Sequence, residues 1–131
     1  MPASYTIDCN RRLVVLKVVG ELSEVDVRTV ERELTSDPAY DADFNHILDV
    51  REGRRLIGST AVLREMAAKP IVNPGVRRAI VTGNLLSYGL ARLFQAAHDA
   101  NGLADEIKIF RDFQSALEWV DAPTSDARRR A

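Results

Sequence analysis

Arg78-Ala79-Ile80-Val81, the turn Thr82-Gly83-Asn84, a long amphipathic run to Gly102, Glu106-Ile107-Lys108-Ile109-Phe110, and Arg111-Asp112 leading into a last helical run through Val120 decide the architecture of this chain. Each short β-branched segment passes into a helix-period segment with almost no slack, which is the pattern of an α/β domain with parallel strands. The same stretch contains no nucleophile beside a base, no metal-ligand cluster and no phosphate loop. It fixes a fold and leaves the chemistry open.

Upstream, Tyr5-Thr6-Ile7-Asp8 and Leu13-Val14-Val15-Leu16-Lys17-Val18-Val19 are β-branched-rich runs around Cys9-Asn10-Arg11-Arg12, and they read as an opening hairpin. The second run is nearly continuous in apolar residues, which predicts a strand covered on both faces. Ser23-Glu24-Val25-Asp26 is a capping-box pattern: the Ser23 hydroxyl and the Asp26 carboxylate each satisfy an orphan amide of a helix start. That helix shows Val27, Val30 and Leu34 on one face and stops before Pro38. His46-Ile47-Leu48-Asp49-Val50 is the third strand, with loop to Gly58. A helix from Ser59-Thr60 then turns Leu63, Met66 and Ala67 inward and ends at Lys69-Pro70. In the long helix Leu86, Leu90, Leu93, Phe94 and Ala97 form one stripe, with Arg92, Gln95 and Asp99 opposite. Asp112 caps the last helix, which buries Phe113, Ala116, Leu117 and Val120. The expected fold is a single α/β domain over residues 3–121, a mixed sheet of about five strands packed by about four helices, followed by a polar, disordered tail at 122–131.

Composition narrows the function classes. With 131 residues, 46% hydrophobic, 28% charged and a net charge of -1, the chain is an ordinary globular domain large enough for its own core. A nucleic-acid partner is disfavoured, because Arg11-Arg12, Arg54-Arg55 and Arg77-Arg78 are scattered among acids and read as solvated surface. The single Cys9 has no internal disulfide partner, and its acidic neighbour Asp8 does not activate a thiolate. Neither a signal peptide nor an apolar run long enough for a bilayer is present, so the expectation is a cytoplasmic protein without stable membrane insertion.

Four constellations could carry chemistry. Asp41-x-Asp43-x-Asn45 with Asp49 and Glu52 approaches a calcium-loop spacing, but His46 replaces the turn glycine and a strand follows, so no metal is assigned. His46 and His98 are the only histidines, and neither has a spaced nucleophile; His98, near a helix C-terminus, reads as structural. Gly83 and Asn84, at the end of a strand and the start of a helix, hold the generic ligand position of an open α/β sheet, with Asn84 as a plain helix cap the simpler reading. Ser59 and Thr60 cap their helix in the ordinary reading and are phospho-acceptor candidates in the functional one, since a helix N-terminus tolerates added negative charge.

Tyr5 to Asp8, the strand Leu13 to Val19 with Gly20-Glu21-Leu22-Ser23, Asp37-Pro38-Ala39-Tyr40-Asp41, Leu48-Asp49-Val50-Arg51-Glu52, Tyr88-Gly89-Leu90-Ala91-Arg92-Leu93-Phe94 and Ile109-Phe110-Arg111-Asp112-Phe113 with Ala116-Leu117 and Trp119 together resemble the bacterial SpoIIAA-like family of small STAS-like domains. The resemblance spans nearly the whole chain and implies that fold. The wider superfamily includes anti-sigma-factor antagonists switched by phosphorylation of a serine or threonine after a central strand, and related folds include lipid carriers of the CRAL-TRIO type. Against the antagonist motif, an acid followed by two hydroxyl residues and a glycine, this chain has Gly58-Ser59-Thr60-Ala61, keeping the hydroxyls and lacking both the acid and the glycine.

The resulting expectation is a non-enzymatic regulatory or protein-interaction module without a cofactor, phospho-switched at Ser59 or Thr60, with another protein as partner and a homodimer compatible with the pattern. The alternative is a domain that binds a small apolar or lipid-like ligand, with Tyr88, Leu90 and Phe94 lining a pocket beside the sheet.

Overall fold

A computed structural model describes residues 2–56 and 60–123. Ser59 and the tail beyond Pro123 lie outside them, and of Thr60 only its place at the start of a helix is described. The elements run β1 (Ala3–Asp8), β2 (Leu13–Leu22), α1 (Glu24–Ser36), β3 (Asn45–Leu56), α2 (Thr60–Ala67), β4 (Arg77–Val81), α3 (Leu85–Ala100), β5 (Glu106–Phe110) and α4 (Phe113–Asp121). They build one five-stranded sheet in the order β1-β2-β3-β4-β5, with β1 antiparallel to β2 and every other pair parallel. The α/β fold expected from sequence, a mixed sheet with an antiparallel edge, is the fold observed.

Strand order equal to chain order has a geometric consequence. Successive parallel neighbours joined by crossovers of one hand put their helices on one face of the sheet. On that face, α2 and α3 bring Leu63, Ala67, Ala91 and Phe94 onto Val18, Val50, Ile80 and Ile107. There too, α1 seats Leu34 against Val14 and Phe44. The other face is closed by α4, whose Ala116 and Val120 pack on Leu13, Ile47, Ala79 and Val81. β2 and the first half of β3 are therefore covered on both faces, as the nearly unbroken apolar run of β2 predicts for that strand.

Helix starts follow the local chemistry. Ser23 accepts from the Asp26 amide while the Asp26 carboxylate accepts from the Ser23 amide, so two orphan donors are satisfied at once. Asn84 and Ser87 make the equivalent exchange on α3, and Asp112 accepts from the Ser115 amide on α4.

Three expectations need correction. β3 does not stop at Val50 but runs to Leu56, paired with a β2 that also runs on to Leu22. Register shifts near Lys17 and Gly20 accommodate the extension, with Gly20 at φ 75, a conformation glycine adopts without strain. The extension carries no apolar alternation; backbone pairing holds it, with Arg51 bonded to Asp49 and Glu52 paired with Lys17 at its start. On α3 the buried line is Ser87, Ala91, Phe94 and His98, while Leu86 is 64% exposed. At 100° per residue the inward face is rotated roughly 80° from the leucine stripe, because the small Ala91 lets the helix approach the sheet and His98 finds a buried acid. Finally, Arg77 and Arg78 are not solvated surface: their side chains are 12% and 16% exposed. Neighbours in a strand point to opposite faces. Arg77 accordingly lies over Trp119 and Arg78 over Phe94.

Candidate ligand-binding cavity

Between the sheet and the three helices on its first face lies a cavity of about 160 Å³. Its floor is the inward row of the central strands, including Val18, Leu48, Val50 and Ile80. Its roof comes from α1 through Val27 and Val30 and from α3 through Leu90 and Phe94. Val27 and Val30 are 5% and 8% exposed, yet neither belongs to the packed clusters on either side. The short β-branched side chains of α1 do not reach across to those of α2 and α3. At the surface the gap between α1 and the α2 segment is bridged by charge: Arg28 grips both Glu65 carboxylate oxygens at 3.0 Å, and Lys69 holds Glu31 at 3.2 Å. Glu31 also lines the cavity.

One end of the cavity is polar. His46 on β3 and Arg78 on β4 are register partners on the same face of adjacent strands, and both line the cavity. His46 is 3% exposed, and its Nε2 has no hydrogen-bond partner among the described residues. Burial, reinforced by the positive charge of Arg78 and opposed by Asp105, pushes the His46 pKa down to about 3. The imidazole is therefore neutral near pH 7. The Tyr40 ring meets it edge-on at 6.3 Å.

Arg78 leads into a buried polar string. Its Nη1 donates to Asp105 Oδ2 at 3.3 Å; Asp105 Oδ1 faces His98 Nε2 at 2.8 Å; and His98 Nδ1 faces Asp99 Oδ1 at 3.0 Å. His98 is 0% exposed, and Asp105 is 7% exposed. This chain of partners explains how a charged residue sits on the inner face of a buried strand, where an unpaired charge would be strongly unfavourable.

The structure distributes the residues singled out from sequence as follows. Leu90 and Phe94 line the cavity; Tyr88 lies half-buried on the same helix and is outside the lining. Gly83 packs its Cα against β3, where a Cβ would stand 2.8 Å from the Arg51 carbonyl oxygen. Asn84 spends its side chain on the α3 cap. The glycine thus has a packing reason and the asparagine a capping reason. Cys9 is exposed. Among the described residues no group of three or more His, Cys, Asp or Glu side chains is arranged to hold a metal ion, and no helix is long and apolar enough to cross a membrane. His46 and Arg78 are the residues that sequence reasoning passed over as a site. The signal present was the alternation Arg78-Ala79-Ile80, which puts Arg78 on the face of a core isoleucine.

An antiparallel hairpin edge, three parallel strands added in chain order, and three helices against one on the two faces define a SpoIIAA-like fold. Among solved structures the chain is similar to the crystal structure of an uncharacterised protein of the DUF3478 family with a SpoIIAA-like fold from Shewanella loihica PV-4. The TM-score is 0.61 and the identity 18%, with 90% of this chain and 93% of that one covered. No protein-family model matches the sequence, and no curated protein matches it.

Proposed function

We propose that this domain is a non-enzymatic binding module that holds a small, largely apolar molecule in the cavity between the sheet and α1 to α3. The observation that carries this reading is an apolar space with a single buried, unpartnered polar atom, His46 Nε2, at one end. Binding sites for small molecules combine apolar walls with a few placed polar groups in this way. Size sets the ligand class: an engineered apolar cavity of about 150 Å³ in another protein takes up benzene, and 160 Å³ is of that order. A one-ring molecule or a short branched chain fits without movement of the helices; a long-chain lipid would have to part α1 from α2. Native mass spectrometry of freshly purified protein, followed by methyl-resolved NMR titration with benzene and toluene, tests this. Resonance shifts confined to Val30, Leu90 and Val50 are expected. Absence of shifts up to the solubility of both probes would overturn the reading.

A second reading, a regulatory protein-interaction module, draws on a different observation. Val25, Leu85 and Leu86 are 72%, 84% and 64% exposed. They stand at the starts of α1 and α3, which both follow the C-terminal ends of parallel strands and so share one end of the sheet. Thr60 opens α2 at that same end. Ser59 or Thr60 would be the phospho-acceptor of such a module, and loss of partner capture by Leu85→Asp with unchanged stability would test the role.

A further inference from the structure

We infer that the cavity selects small apolar acids, with the ligand carboxylate seated between His46 and Arg78. This rests on the cavity being a ligand site. His46 Nε2 lies buried and unpartnered at the polar end. Its strand neighbour Arg78 presents a five-donor guanidinium of which Asp105 takes one hydrogen bond, at 3.3 Å. A carboxylate accepts only, and it can take one hydrogen bond from the Nε2–H tautomer of His46 and another from the guanidinium fork.

The donors left free at the polar end favour an anion over a neutral head group. Both ring nitrogens of buried His98 lie at 3.0 Å or less from a carboxylate oxygen, one of Asp99 and one of Asp105. Asp105 thus divides its carboxylate between His98 and Arg78. Asp99, the other partner of His98, is 68% exposed at its side chain and is screened by water. Arg78 therefore keeps guanidinium donors that Asp105 does not take. A carboxylate entering beside Arg78 offers those donors two charged acceptor oxygens; an alcohol or amide does not. Glu31, the acidic residue of the lining, already has Lys69 as its partner at 3.2 Å.

Isothermal titration of the whole protein with benzoate, benzamide and toluene separates this inference from the reading beneath it. On the wild-type protein, benzoate is expected to bind at least about tenfold more tightly than its neutral isostere benzamide. Arg78→Gln should erase that preference while leaving toluene affinity within about twofold, so toluene serves as the measure of an intact cavity. His46→Leu, which leaves the buried charges in place, should also weaken benzoate, and serves if Arg78→Gln does not fold. Toluene binding with benzoate no tighter than benzamide would overturn the acid assignment and leave the cavity reading standing. Failure of all three probes to bind would overturn both.

Discussion

Acidification from pH 7 to pH 5 should weaken the ligand-free protein by about 2 kcal/mol through His46 alone. The side chain has an ordinary pKa of 6.5 in the unfolded chain and one pushed down to about 3 in the fold, where burial and Arg78 oppose its charge. Between those values the unfolded state binds the extra proton, so stability rises with pH. It is fully present above pH 6.5, declines as pH falls through the window, and stops declining near pH 3. Integrating at 1.36 kcal/mol per pH unit gives about 2 kcal/mol at pH 5 and roughly 5 at the acid limit. The carboxylates held below their ordinary range, including Asp49 by Arg51, Asp37 by the Ala39 amide and Glu65 by Arg28, add acid sensitivity of the same sign, but from about pH 5 downward. Urea denaturation of wild type and His46→Leu at pH 7, 6 and 5 isolates the effect, because His98 is common to both proteins. The wild-type midpoint should fall by roughly 1 M more than that of the variant. Parallel losses in the two proteins would mean that His46 is hydrated in the folded state, and the argument for a dry polar end of the cavity would fail.

Gly83→Ala should destabilise by about 1 to 3 kcal/mol, because the new Cβ would meet the Arg51 carbonyl oxygen at 2.8 Å and both groups belong to backbone; an unchanged melting temperature would refute the contact. Ser23→Ala should cost about 1 kcal/mol by uncapping α1, with unchanged chemical denaturation as the contrary result. Leu34→Ala removes a side chain that is 1% exposed and should cost about 3 to 5 kcal/mol in the same assay. A loss below about 1 kcal/mol would show that α1 collapses onto the sheet to fill the gap.

The fold was legible because its signals are local. The Ser23 and Asp112 caps, the apolar runs of β2 to β5 and the Val27, Val30, Leu34 face of α1 each follow from residues within one or two turns of one another. The errors lie where a local rule had a tertiary competitor. The leucines of α3 suggested a face centred near Leu90, and the helix instead turned Ala91 and His98 inward. A small residue that permits close approach and a histidine with a buried acid outweighed the larger apolar area of Leu86. The second half of β3 was invisible for the opposite reason: Glu52, Gly53 and Arg55 pair with β2 through the backbone and carry no apolar pattern.

The candidate site was illegible because no segment contains it. His46 and Arg78 are 32 residues apart by number and become neighbours only through the β3–β4 register, while the volume above them depends on how far the side chains of α1 reach. Yet one of its residues breaks the binary pattern in a readable way. A strand written Arg77-Arg78-Ala79-Ile80-Val81 with parallel neighbours on both sides must place one arginine on each face, and both faces are core. Arg77 reaches the Trp119 and Ala122 carbonyls at the end of α4 through Nη1, while its buried Nε, 3.9 Å from Glu106, has no hydrogen-bond partner among the described residues. Arg78 resolves the conflict only in part, since its acid is shared with His98 and Nε2 of its strand neighbour His46 has no hydrogen-bond partner among the described residues. Both arginines leave a buried polar atom unpaired on or beside them, but only at Arg78 and His46 does that atom face a cavity, and it is there that a ligand would complete the arrangement.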